Sequence, residues 1–296
     1  MVHRHPPSLA LRNRNPRAKA SQQIERYHFV KDAKLALASA LLKRLAISRL
    51  ANVSWTTSSL WTRQPQTGKP IFDLQRGSEG GGVKVNFNVS HQAGVVVLIA
   101  SSSSVQEEDE ETAVDVGIDV VCPAERRTRD VNSIASEGWS RYVAVHEDVF
   151  APEEAAALRR RSGDDVDDRL AHFYTLWCLR EAYIKMTGDA LLAPWLRELE
   201  MRHFAPPRAS NQHQHREEVG NDDDGTALEI WFRRRRVENV CMRISTLLDD
   251  EYMVCSAVRC PPSLWASVES QLALPFTHLV LDEMVAEAEE AGRRHQ

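Results

Sequence analysis

The sequence predicts an α+β fold, in which helices and antiparallel strands occupy separate stretches of the chain. Segments with a helical spacing of apolar residues lie towards both ends and in the middle, and segments of alternating apolar and polar residues lie between them. The two kinds of segment do not alternate regularly, as they would around a parallel sheet. The 296 residues, 43% of them hydrophobic and 27% charged, are enough for one large domain or two smaller ones.

Four segments have the apolar spacing of helices. They cover residues 26–50, 167–187, 263–274 and 277–291. The second has the clearest limits, because aspartates suited to capping open it and Gly188, which readily adopts left-handed backbone, follows it.

The strand candidates begin with residues 83–90, where valine and phenylalanine alternate with polar residues. A turn at residues 92–94 leads into the apolar strand 95–100, so these two segments predict a β-hairpin. A third strand, residues 114–121, carries Asp119 on its less apolar face. Further strands are predicted at residues 228–237 and 253–258.

Polar segments divide the chain. Residues 1–24 contain five basic residues and no acid, which predicts a disordered basic tail, with an organelle-targeting segment as the alternative. The segment 101–112 separates an N-terminal half, residues 25–112, from a C-terminal half, residues 113–296. Two more solvated interruptions are predicted at residues 161–168 and, as a polar loop insertion, at residues 206–225.

Charge and composition exclude several classes of protein. The net charge of −5 gives no general attraction to nucleic acid, and the arginine run 233–236 reads as the solvated edge of a strand. The longest apolar run, residues 95–100, is far shorter than the ~20 residues that a membrane-spanning helix needs. Five cysteines without metal-type spacing fit free thiols in a reducing, cytoplasmic setting. We expect a monomer.

Glu181 is the most informative single residue. Leu170, Phe173, Trp177 and Ile184 form an apolar stripe along the predicted helix, and position 181 in that series is a glutamate. One interpretation is a pair with Lys185 one turn later, worth a few tenths of a kcal/mol. The other is a functional carboxylate, whose partial burial is compensated by a cation or a metal ion.

Other polar residues are ambiguous when taken singly. Asp119 at a strand end is a turn or cap residue or part of a site. Ser90 and His91 precede a tight turn, where they contact an anion or satisfy nearby backbone groups. Lys69 lies in the turn Thr67-Gly68-Lys69-Pro70, where a lysine is normally solvated.

Taken in order, however, these residues belong to a series of motifs: TGKP, FNVSHQ, VGIDVV and WCLREAYIK, the last followed by Thr187-Gly188. The series resembles the 4'-phosphopantetheinyl transferase superfamily, in its longer, Sfp-like form and with fungal members as the closest likeness. The resemblance runs from about Glu25 to Val258. It implies two similar α+β halves related by a pseudo-twofold axis, with the active site at their interface.

The resemblance also implies an activity and its residues. Such an enzyme moves the phosphopantetheine arm of coenzyme A, with Mg²⁺, onto a serine of an apo-carrier protein and releases adenosine 3',5'-bisphosphate. Asp119 and Glu181 match the metal-binding acids, and Glu181 and Lys185 are the expected catalytic pair. The other expected contacts to coenzyme A are Lys69 and His91 at the nucleotide phosphates, Asn88 and Ser90 in the same strand and turn, and Arg26 as a basic phosphate contact.

Two departures and one alternative accompany the resemblance. Val121 stands where bacterial members carry a second acid, and no strand and helix of the long form are evident before Glu25. The alternative is an inactive homologue that binds coenzyme A and carriers without transfer. The expected partners are acyl or peptidyl carrier domains of fatty acid, polyketide and peptide synthases, and aminoadipate reductase, docking around residues 190–192.

Overall fold

The computed structural model describes residues 28–75, 82–104, 113–189, 193–207 and 227–294. The basic segment 1–24, Arg26, the docking segment 190–192 and most of the polar segment 206–225 lie outside the described residues.

Seven α-helices occur in the part of the chain that the structure describes. In chain order they are α1 Val30–Ala51, α2 Pro123–Glu137, α3 Trp139–Ala144, α4 Pro152–Arg160, α5 Val166–Thr187, α6 Trp265–Ala273 and α7 Leu281–Arg294.

The N-terminal half consists of α1 packed on a four-stranded antiparallel sheet. Its strands, in spatial order, are β1 Thr62–Arg63, β2 Pro70–Leu74, β3 Val83–Gln92 and β4 Val95–Ser104. Ile47 and Ala51 of α1 contact Phe72, Val85 and Phe87 of the sheet, and all five are buried. Burial of these apolar side chains fixes the helix on the sheet.

The predicted hairpin is confirmed, with two corrections. Only Ala93 and Gly94 form the turn, both with positive φ, because a two-residue turn of that kind matches the twist of the strands. The second strand does not end at Ala100, since residues 101–104 continue the ladder opposite Val83–Asn86. Serines form the same backbone hydrogen bonds as apolar residues, so composition alone placed the strand end too early.

The C-terminal half places α5 across a second antiparallel sheet. The strands of that sheet, in spatial order, are β5 Asp115–Val121, β10 Tyr252–Arg259 and β9 Val240–Leu247. A small third sheet consists of β6 Leu199–Arg202, β7 Glu229–Phe232 and β8 Arg235–Arg236.

Three further predictions about this half need correction. The single strand expected at 228–237 is the hairpin β7–β8, because Arg233 and Arg234 adopt left-handed backbone and form its turn. The interruption expected at 161–168 ends at Val166, where α5 begins. The last helix starts at Leu281, four residues later than expected.

The two halves have a similar arrangement of helix and strands. Each combines a 22-residue helix, α1 or α5, with an antiparallel hairpin, β3–β4 or β9–β10. This likeness supports the expected pseudo-twofold relation.

The two halves meet where β3 lies against β5. The polar side chains that alternate along β3 bond to the backbone of the other half. Asn86 donates to the carbonyl of Val114 at 3.0 Å, and Gln92 accepts from the amide of Cys122 at 3.1 Å. The polar face of β3 is thus an interface rather than a solvated surface.

No helix within the described ranges is long and apolar enough to span a membrane. All five cysteines are buried and free of disulfide bonds.

Candidate active site

Asp119 lies at the junction of the two halves and is 6% exposed. Its Oδ1 atom accepts hydrogen bonds from Lys185 Nζ at 2.6 Å and from Ser90 Oγ at 2.9 Å. Lys185 Nζ also donates to Ser90 Oγ at 2.9 Å. The structure therefore brings together one residue from β3, one from β5 and one from α5, each singled out by the sequence.

Gly117 explains why α5 reaches this point. A Cβ atom at Gly117 would lie 2.2 Å from the carbonyl oxygen of Ala182 and 2.4 Å from the amide nitrogen of Met186, closer than any real contact. Only glycine lets the last two turns of α5 rest directly on β5. Asp119 is two residues further along the same face of β5. The side chains of Glu181 and Lys185 on the helix therefore lie beside it.

Glu181 differs from its neighbours because it is partly buried and has no hydrogen-bond partner within the described part of the chain. Burial and the negative charge of Asp119 raise its pKa to about 7, and Lys185 opposes that shift. The sequence left a Glu181–Lys185 pair open. In the structure the Lys185 ammonium instead contacts Asp119, which leaves the Glu181 carboxylate available.

The remaining predicted site residues have varied environments. Asn88 accepts a hydrogen bond from the amide of Ile118 at 3.0 Å and so joins the halves. His91 is exposed near the end of β3. Lys69 is buried, and its ammonium contacts Asp115 and a backbone carbonyl of α5. Arg26 lies outside the described residues. The phosphate contacts assigned to these residues stay predictions.

The donor set fits a hard divalent cation with few protein ligands. Among the described residues no group of three metal-ligating side chains is present. Asp119 and Glu181 nevertheless lie close enough for their charges to repel each other, and among the described residues no cation is hydrogen-bonded to Glu181. Mg²⁺ characteristically takes one or two carboxylates and completes its shell with water and phosphate. Val121, on the same face of β5, is 5% exposed in the apolar core and adds no ligand.

The sequence missed a buried ion pair next to the site. Arg180 is 2% exposed, and its Nη1 atom contacts Glu154 Oε2 at 2.7 Å. The same guanidinium donates to the carbonyls of Leu196 and Leu199, and Glu154 accepts from the amide of Met201. The signal was an arginine flanked by buried residues in the middle of α5, but its partner is 26 positions away.

Asp115 was also missed, although it opens the same strand as Asp119. It contacts Lys69, and its second oxygen lies 3.5 Å from Arg259. The available signal was its spacing, since Asp115, Gly117 and Asp119 alternate on one face of β5.

Two family models match the chain. The model described as "4'-phosphopantetheinyl transferase, N-terminal" matches residues 11–103, and that described as "4'-phosphopantetheinyl transferase superfamily" matches residues 115–236. The boundary between the two matches falls in the segment that separates the two halves.

Similar curated proteins carry matching names. "4'-phosphopantetheinyl transferase 1" of Fusarium mangiferae is 47% identical over 240 residues, which is 80% of this chain and 73% of the relative. "4'-phosphopantetheinyl transferase NpgA" of Emericella nidulans is 32% identical over 254 residues, again 80% and 73%. The "L-aminoadipate-semialdehyde dehydrogenase-phosphopantetheinyl transferase" of Homo sapiens is 29% identical over 184 residues, 62% of this chain and 51% of the relative. Motifs, fold and similarity agree, and the chain belongs to the 4'-phosphopantetheinyl transferase superfamily.

Proposed function

We propose that this transferase moves the phosphopantetheine arm of coenzyme A onto a serine of an apo-carrier protein and releases adenosine 3',5'-bisphosphate. One observation carries the proposal. Asp119, Glu181 and Lys185 come from two separate motifs and lie together beside Ser90 of the other half, and the Glu181 carboxylate has no hydrogen-bond partner among the described residues. A site of this kind can bind a phosphate-rich substrate through its cation and its metal ligands.

Asp119 and Glu181 are the residues that would hold Mg²⁺ in this proposal. When bound, the ion supplies charge neutralisation at the pyrophosphate of coenzyme A. Lys185 contributes a second positive charge. Its ammonium is already within hydrogen-bond distance of Asp119 and Ser90, so it lies beside one of the two proposed metal ligands.

Glu181 is the proposed base. It removes the proton of the carrier serine, directly or through a water molecule. The serine oxygen forms a bond to the β-phosphorus, and the bond from that phosphorus to the bridging oxygen breaks. The bridging oxygen leaves with adenosine 3',5'-bisphosphate, and no covalent enzyme intermediate is required.

His91 and Arg26 are the proposed contacts to the nucleotide phosphates, with Asn88 and Ser90 in the same strand and turn. The exposure of His91 near the end of β3 supports its part. Asn88 and Ser90 are already bonded to β5, which supports a role in shaping this strand as well.

The proposed partners are carrier domains of fatty acid, polyketide and peptide synthases, and aminoadipate reductase. The name of the human relative, which refers to L-aminoadipate-semialdehyde dehydrogenase, supports the last of these. Residues 190–192, just beyond α5, remain the proposed docking segment. Five free buried thiols support a reducing compartment, and we propose a cytoplasmic monomer.

A direct test incubates the full chain with coenzyme A, Mg²⁺ and an apo-carrier, and follows the carrier by mass spectrometry. We expect the carrier to gain one phosphopantetheine arm. A carrier whose acceptor serine is replaced by alanine should stay unmodified, and EDTA should prevent the reaction. If several apo-carriers stay unmodified while coenzyme A still binds, the inactive-homologue alternative holds instead.

A further inference from the structure

Lys69 has an unusual environment for a lysine in a turn. Its side chain is only 6% exposed, and its Nζ atom donates to Asp115 Oδ1 and, at 2.7 Å, to the carbonyl oxygen of Met186. The ammonium therefore joins the turn before β2, the first residue of β5 and the last turn of α5. Buried lysines are rare unless paired, and this one has two partners in the other half of the molecule.

The contact of Lys69 with the carbonyl of Met186 caps the C-terminal end of α5. The last four carbonyls of a helix have no partner within it, and the helix dipole gives that end a partial negative charge. Met186 is the residue before the end of α5 at Thr187. A cation at this position satisfies one free carbonyl and offsets the dipole.

An independent observation shows how tightly the turn packs against this helix end. Gly188 follows α5 with φ +83°, and a Cβ atom there would lie 2.7 Å from Thr67 Cβ and 2.8 Å from Lys69 Cδ. The Thr67-Gly68-Lys69 turn and the Thr187-Gly188 helix end are thus in direct contact. Two motifs that are 120 residues apart in the sequence form one packing unit.

We infer that Lys69 is a positioning residue, which fastens the end of α5 and the start of β5 to the N-terminal half. This differs from the contact to a nucleotide phosphate that the family resemblance implies. Lys185 and Glu181 lie in the last two turns of α5, and Asp119 lies on β5, so this fastening sets the spacing of the site. The inference rests on the proposed function for its kinetic consequences only.

The test compares the wild type with Lys69→Met, Asp115→Asn and the double variant. Thermal unfolding comes first, because it does not depend on any activity. Lys69→Met should lower the Tm by about 5 °C, and Asp115→Asn should lower it less in the Lys69→Met variant than in the wild type, since only its contact with Arg259 is then left to lose. Additive Tm losses would overturn the inference.

The kinetic test uses coenzyme A and 3'-dephospho-coenzyme A, which lacks the nucleotide 3'-phosphate. A positioning residue acts on kcat, so Lys69→Met should lose about tenfold or more with both substrates, and Lys69→Arg should recover part of that loss. Asp115→Asn should show the same pattern more weakly, because Asp115 is 32% exposed and also faces Arg259. It provides a second reading if Lys69→Met does not fold.

His91→Ala is the matched comparison for a phosphate contact. Its loss should be in KM for coenzyme A and should vanish with 3'-dephospho-coenzyme A. If Lys69→Met behaves in that way, and Asp115→Asn behaves like the wild type, then Lys69 is a phosphate ligand and the inference is wrong. If no variant has transferase activity, Tm losses that are not additive still support the fastening of α5 and β5 by Lys69, and additive losses overturn it.

Discussion

Arg180 and Glu181 are neighbours on α5 and carry opposite charges, but they differ in burial and in hydrogen bonding. Arg180 is 2% exposed and is bonded to Glu154 and to two backbone carbonyls, and only its Nε atom has no partner among the described residues. Glu181 lies beside Asp119 and has no hydrogen-bond partner in the described ranges.

The difference separates a structural charge from a functional one. Burial raises the pKa of Glu154 and lowers that of Arg180, and each residue opposes the shift of the other. Their charges are maintained as a pair, which ties α5 to α4 and to β6. Glu181 is partly buried beside another negative charge and has no hydrogen-bonded ion-pair partner of this kind. This is the environment of a group that binds a ligand.

The largest expected effect comes from removing the free carboxylate. Glu181→Gln should reduce transfer by about 10²- to 10⁴-fold, because the amide cannot accept the serine proton, while the fold and coenzyme A binding persist. Mass spectrometry of the carrier and calorimetric titration with coenzyme A measure the two properties. Asp168→Asn, at an exposed acid of the same helix, should remain fully active. Full activity of Glu181→Gln would remove the proposed base.

The next largest effect is expected on stability, from replacing the buried Arg180. Arg180→Met leaves Glu154 buried without its cation and should cost about 3–5 kcal/mol of unfolding free energy. Chemical denaturation measures this cost, and Arg129→Met, at an exposed arginine of α2, serves as the control. If Arg180→Met were as stable as the control variant, the pair would not be the structural element that we describe.

A smaller effect concerns pH. The pKa of Glu181 is raised from 4.5 to about 7 in the folded protein, so its protonated form favours folding and this contribution is lost as the pH rises through about 7. That difference corresponds to about 3 kcal/mol, which partial exposure reduces to about 2. Glu181→Gln should therefore be about 2 kcal/mol more stable than the wild type at pH 8, with little difference at pH 4.5.

Denaturation of both metal-free proteins across this pH range checks the expected trend. A stability difference that stays constant with pH would mean that Glu181 has an ordinary pKa.

The sequence predicted a large part of the fold and of the site. The α5 limits were accessible because a capping aspartate and Gly188 mark them, and Asp165 does accept a hydrogen bond from the amide of Asp167. The β3–β4 hairpin followed from the alternation along residues 83–90, the turn at residues 92–94 and the apolar run 95–100. The contact between Asp119, Lys185 and Ser90 could be expected only from the order of the motifs, since these residues are up to 95 positions apart in the sequence.

Other features depend on long-range contacts that no local pattern shows. Glu154 lies in a short helix, α4, and nothing in its neighbourhood indicates that Arg180 is its partner. The polar face of β3 has the composition of a solvated surface, but it is buried because backbone groups of β5 and of Val114, just before β5, form hydrogen bonds with it. The sequence around Lys69 is typical of an exposed turn, but the end of α5 packs over this lysine in the structure.

The most direct measurement is the pKa of Glu181 itself in the metal-free protein. Carboxyl resonances of glutamate, labelled with ¹³C, are followed by NMR as the pH is changed, and the Glu181→Gln spectrum identifies the signal. We expect a midpoint near 7, set by burial and by Asp119. A midpoint at or below the ordinary 4.5 would show that Glu181 is already paired, as with Lys185, and would contradict a carboxylate held free for the reaction.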